Sequence, residues 1–165
     1  MIRFAVGFTI LIAAYYALAV LPGFDSALYV YLEANARIAG AILRACGQGV
    51  EVAGVTVRSG PFAISLRRGC DAIEPAWFFC AAVAAFPVPW RRKRLILPVG
   101  TALLLGLNLV RVVSLFYVGK LWPGLYGPVH LEVWPAAFMI AVVALWLAWM
   151  RLVKPAPGLS PNADA

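Results

Sequence analysis

At 165 residues the chain has room for one domain. Hydrophobic residues make up 64% and charged residues 13%, which excludes an ordinary water-soluble globule and points to a membrane protein. The net charge of +7 does not indicate a nucleic-acid partner, because the basic residues form no stripe among aromatics and Arg91-Arg92-Lys93-Arg94 stand together between two apolar runs.

Arg3 followed by Phe4–Leu21 is a short basic end and an apolar run long enough for a first transmembrane helix, ended by Pro22-Gly23. A signal peptide is the competing reading, with Ala17-Leu18-Ala19 as its cleavage site, but the n-region holds one arginine and the run is long for such a segment. Asp25–Gly47 reads as an outer amphipathic helix lying on the membrane or on its neighbours, with a partly inserted segment as the alternative. Leu28, Leu32, Ile38, Ile42 and Leu43 are apolar, whereas Glu33, Arg37 and Arg44 make it a poor span.

From Gly49 the periodicity changes to two. Val50, Val52, Val55 and Val57 alternate around Gly54, Arg58-Ser59-Gly60-Pro61 makes a turn, and Phe62, Ile64 and Leu66 alternate again. This pattern predicts a short β-hairpin whose second strand runs into Cys70. Asp71–Val88 is the expected second span, with Pro75 in its first turn. The Arg91–Arg94 cluster precedes a third span at Leu95–Val118. A Gly- and Pro-rich loop, Gly119 to His130, leads to a fourth at Leu131–Met150, flanked by Arg151 and Lys154. Residues 1–154 form the membrane domain, and 155–165 have the composition of a disordered tail.

The fold class is therefore all-α and polytopic: about four spans, an outer amphipathic helix and a short hairpin in a lipid bilayer. The positive-inside rule puts Arg3, Arg91–Arg94 and Arg151 with Lys154 on the cytoplasmic side, so residues 22–70 and 119–130 face outward.

Arg67-Arg68-Gly69-Cys70-Asp71-Ala72-Ile73-Glu74-Pro75 is the densest cluster of reactive side chains. Arg67, Arg68 and the nearby helix start favour thiolate at Cys70, whereas Cys80 lies deep in an apolar run and reads as packing. Arg111 falls inside the third span, about 12 Å below its outer end, with Asn108 on the same helical face. An arginine at that depth costs about 2.5–3.5 kcal/mol on insertion scales and normally faces a partner or a cavity. His130 stands at the outer start of the fourth span. Three segments thus bring a thiol, a guanidinium and an imidazole to one side of the membrane.

A non-catalytic scaffold is the rival, with a Cys46–Cys70 disulfide and an Arg111–Glu74 ion pair. The chain has no CxxC, so thiol oxidoreductase chemistry is disfavoured, and neither Gly-x-Ser-Gly nor His-Glu-x-x-His occurs. The three cysteines and single histidine make no metal set, and no metal or organic cofactor is expected.

Gly69-Cys70-Asp71-Ala72-Ile73-Glu74, then Asn108-Leu109-Val110-Arg111, then Val129-His130 ahead of the last span resemble the exosortase/archaeosortase family over roughly residues 50–150. The short length matches its compact, exosortase H-like branch. Asp71 and Ala72 stand where that family often has a small polar residue followed by glycine. The resemblance implies a membrane cysteine transpeptidase of the bacterial cytoplasmic membrane. Cys70 would be its nucleophile, Arg111 the stabiliser and His130 the proton-transfer residue. Asn108 and Glu74 are expected to orient the arginine. The implied partners are substrate proteins ending in a short recognition motif, a transmembrane helix and a basic tail.

Overall fold

The computed structural model describes residues 2–153; Lys154 and the expected tail lie outside the described residues. The elements run α1 (Ile2–Ala19), α2 (Phe24–Ala45), β1 (Glu51–Ala53), β2 (Thr56–Ser59), β3 (Phe62–Ser65), α3 (Ile73–Ala85), α4 (Ile96–Leu121), α5 (Pro123–Pro128) and α6 (Trp134–Leu152). A 3₁₀ turn, Trp90–Arg92, precedes α4, and a π-helical turn, Val129–Val133, joins α5 to α6. The described residues are mainly helical, with one small antiparallel sheet.

Helix α4 is shared by two cores. Near its C-terminal end Val112 and Phe116 pack with Leu28, Leu32 and Leu43 of α2 and with Val57 and Ile64 of the sheet. Nearer its N-terminus Leu104 packs with Phe79 and Val83 of α3 and Phe138 and Trp149 of α6. The charged residues of α2 stay outside the first core, where Arg37 donates to Glu33 one turn earlier (2.6 Å). Two glycines set how closely the sheet docks. A Cβ at Gly40 would collide with Val52 of β1, and one at Gly119 would collide with the Phe62 ring of β3.

Three segments are long and apolar enough to cross a bilayer: α1, Trp90–Leu121 and Pro123–Leu152. The fourth expected span is different. Its helix α3 has only 13 residues, about 20 Å, against a hydrocarbon core of about 30 Å. Its start is delayed because Ala72 is left-handed (φ 59°), and its end is forced at Phe86, where the backbone turns extended ahead of Pro87 and Pro89. Lys93 folds back to donate to the Ala84 carbonyl (2.6 Å), satisfying one acceptor at that helix end.

Two further expectations are corrected. The hairpin is a three-stranded meander, β1-β2-β3, in which Ala53 pairs with Thr56 and Ser59 with Phe62. Gly54, at φ 56°, opens a two-residue turn, so residues 50–57 are two strands and not one. The segment from Gly119 to His130 is helical rather than a loop. Pro123 falls in the first turn of α5, where a missing N–H is harmless, so it starts a helix instead of breaking one, and Pro128 is carried within the helical run.

Candidate active site

The site is built where β3 hands the chain to α3. Gly69 (φ 86°) and Ala72 (φ 59°) both take left-handed backbone, the second unusual for a residue with a Cβ. The Asp71 carboxylate makes this tight path possible. Its Oδ2 accepts from the Gly69 N–H (2.9 Å) and its Oδ1 from the Ile73 N–H (2.8 Å), so it closes the turn and caps α3 together. Tyr31 of α2 donates to the Asp71 carbonyl (2.7 Å), and the Cys70 N–H donates to the Arg67 carbonyl (2.9 Å). Cys70 is thereby held from both sides.

The three expected site residues meet at its sulfur. Cys70 Sγ lies 3.0 Å from Nε2 of His130, and Arg111 donates to the same sulfur through Nη2 (3.8 Å) and to the Gly69 carbonyl through Nη1 (3.3 Å). His130 sits in the π-helical turn, flanked by Pro128 and Pro135, each of which removes one donor from the i→i−4 ladder. Tyr126, one turn earlier, stacks on the imidazole (centroids 5.6 Å, planes 28° apart). Arg111 is 6% exposed and its guanidinium lies over the Phe138 ring (5.8 Å).

No family model, curated protein or solved structure matches this chain. The chemistry is therefore argued from the geometry.

Burial, the dominant influence, pushes the Cys70 thiol above the ordinary cysteine range; Arg111 opposes this and the Asp71 carboxylate adds to it. Arg67 also lowers it, through a backbone hydrogen bond and not through its charge, and Arg68 takes no part. Arg68 points elsewhere, donating to the Ala19 carbonyl (2.9 Å) and to Asp25 (3.5 Å) and lying over the Phe24 ring (5.1 Å). A thiol so placed is protonated at neutral pH, and an imidazole at 3.0 Å is placed to take its proton.

Two expected supporting roles are absent in this arrangement. Glu74 does not pair with Arg111: its carboxylate accepts from Tyr16 of α1 (2.6 Å), because the first turn of α3 turns it toward α1. Asn108 is fully buried on the same face as Arg111, yet among the described residues its Oδ1 and Nδ2 have no hydrogen-bond partner, and neither has Arg111 Nε. The scaffold reading loses both of its contacts here. Cys46 is exposed at the end of α2, Cys70 and Cys80 are likewise free thiols, and Cys80 faces Thr101 of α4 (3.2 Å).

Cys70 lines one groove, and its neighbours Gly69 and Asp71 line another. A groove of about 490 Å³ is lined by β3, Cys70, Tyr126 and His130. A second cavity of about 650 Å³ runs between α1, α3 and α6 along Phe8, Phe78, Phe138, Met139 and Trp146, and ends at Gly69, Asp71, Glu74 and Arg111. Among the described residues no three His, Cys, Asp or Glu side chains gather as a metal set.

Sequence reasoning missed Asp71 and Tyr126 as parts of the site. Asp71 carried a signal, since an aspartate two residues before a helix start is a capping position. Tyr126 carried none while its segment was read as a loop.

Proposed function

We propose that the chain is a membrane cysteine transpeptidase that cleaves C-terminal sorting signals of exported proteins on the outer face of a bacterial cytoplasmic membrane. The observation that carries this reading is the convergence of Cys70, Arg111 and His130 on one sulfur, from segments 41 and 60 residues away in sequence.

His130 Nε2 takes the thiol proton as Cys70 Sγ adds to the scissile carbonyl. The tetrahedral oxyanion forms beside the Arg111 guanidinium, whose charge and planar donors favour it over the neutral ground state. Collapse breaks the C–N bond, and the leaving amine takes the proton from His130. A thioester to Cys70 remains. An acceptor amine or water then attacks it, gives its proton to His130, and restores the thiol as the proton returns to sulfur.

The membrane arrangement belongs to the same proposal. α3 makes a fourth, shortened crossing together with the turn that follows it, Phe86–Pro89, in which the Val88 N–H donates to the Phe86 carbonyl (2.8 Å). Both ends of the described chain then lie on the cytoplasmic side, with α2 and the sheet outside. The apolar cavity beside α3 and α6 suits the substrate's transmembrane helix, with the peptide just N-terminal to that helix at Cys70.

Co-expression with an exported protein carrying such a C-terminus tests the reading. Mass spectrometry of the substrate should show a new C-terminus ahead of its apolar helix with the native chain and only the uncut form with Cys70→Ala. Equal processing by Cys70→Ala would end the proposal.

A further inference from the structure

The strand that leads into the thiol is a sheet edge. The order β1-β2-β3 leaves β3 paired on one side only among the described residues. The Leu66 N–H donates to the Val55 carbonyl (2.9 Å), which fixes the parity of the ladder. Phe62, Ile64 and Leu66 turn their backbone groups toward β2, so those of Ala63 and Ser65 point to the open edge. Ala63 and Ser65 are exposed, whereas Ile64 and Leu66 are buried.

The groove that holds Cys70 and His130 runs along this edge. Successive residues of both parities from Phe62 to Arg68 line it together with Cys70, with Tyr126 and His130 on the opposite wall. Such a lining arises when a groove follows the rim of a strand and not one of its faces. Its occupant has to be an extended chain, since only unpaired backbone N–H and C=O groups match those offered by Ala63 and Ser65. No carboxylate lines the groove and Arg67 stands exposed in it, so the occupant is neutral or acidic rather than basic at that point.

From this geometry we infer that the peptide on the acyl side of the scissile bond binds as a fourth strand on the free edge of β3, recognised through its backbone. The inference rests on the transpeptidase reading and adds the binding mode and direction. β3 runs toward Cys70. The acyl half of the substrate also runs toward Cys70, because the helix that follows it occupies the apolar cavity beyond Arg111. The added strand is therefore parallel to β3, and alternate amides of the substrate engage the edge.

Acetyl-tetra-alanyl chloromethyl ketone and chloroacetone test this on the native full-length chain in membranes, with alkylation of Cys70 read by mass spectrometry. The two reagents share the reacting carbon, and only the first has a backbone. The tetrapeptide reagent should react at least about tenfold faster. N-methylation of alternate amides should remove about tenfold of that rate, while methylation of the intervening amides leaves it within about twofold. Equal rates for the two reagents, or a loss that ignores the alternation, would overturn the strand while leaving the nucleophile standing. Failure of Cys70 to react with chloroacetone would overturn the nucleophile, and the strand with it.

Discussion

Arg111 is the residue at which electrostatics and catalysis are most tightly joined, and Arg111→Gln separates them. The guanidinium Nη2 lies 3.8 Å from the sulfur, where a full positive charge and a thiolate attract by about 4 kcal/mol at an effective dielectric near 20. Cys70 is only half-buried, and solvent at the sulfur reduces this by about half. The remaining 2 kcal/mol or so is about a thirtyfold change in the thiolate population at neutral pH. The sign follows from the charge: Arg111 favours thiolate, so its loss raises a pKa that burial has already raised. Alkylation of Cys70 by iodoacetamide, followed across pH by peptide mass spectrometry, should move to a higher midpoint in Arg111→Gln. The rate at pH 7 should fall about thirtyfold. Arg111→Lys should recover part of the midpoint, because it keeps the charge. It should not recover substrate cleavage, because it lacks the planar fork that reaches sulfur and the Gly69 carbonyl together. An unchanged midpoint in Arg111→Gln would refute the placement of the guanidinium at the thiol.

His130→Ala should lower substrate cleavage by about a hundredfold or more, the usual share of a general base, with Cys70 still alkylated by small reagents at high pH. Cleavage that survives in His130→Ala would assign the proton to another group. Asp71→Ala removes two hydrogen bonds from the turn and should destabilise the fold by about 1–2 kcal/mol, seen as a lowered thermal midpoint in detergent. Arg111→Leu combined with Glu74→Leu should remain inactive while inserting normally, since Glu74 is held by Tyr16 and not by Arg111. Near-normal cleavage by that double variant would make Arg111 a structural residue. Asn108→Leu should raise the thermal midpoint, because it replaces two unpartnered buried polar atoms with an apolar group of similar size; a fall would mean that the amide is satisfied.

The long helices were legible because apolar runs of span length are a strong signal, and α1, α4 and α6 begin or end within a few residues of the expected spans. The triad was legible for a different reason. Charged and reactive residues are so rare in the apolar part of this chain that Cys70, Arg111 and His130 stood out singly, and a topology argument sufficed to bring them together. What sequence could not supply was the direction of side chains at helix starts. Glu74 was expected at Arg111 from spacing alone, but the left-handed residue at Ala72 sets the phase of α3, and that phase turns Glu74 toward Tyr16. Proline was ambiguous for a related reason. Pro123 and Pro128 stood in a Gly-rich segment read as a loop, although proline at a first turn, as at Pro123, starts a helix equally well. The turn at Gly54 left a single slip in the alternation, the three-residue spacing from Val52 to Val55, which a bulge at a glycine within one strand would also give.

The most direct measurement is of the covalent intermediate itself. The chain would be co-expressed with an exported protein bearing an apolar C-terminal helix and basic tail, trapped in acid, and Cys70 examined by peptide mass spectrometry. The expected result is an acyl adduct on Cys70, ending at the new substrate C-terminus and released by hydroxylamine as a thioester should be. Substrate cut at that same bond with no adduct on Cys70, and cut equally by Cys70→Ala, would contradict it.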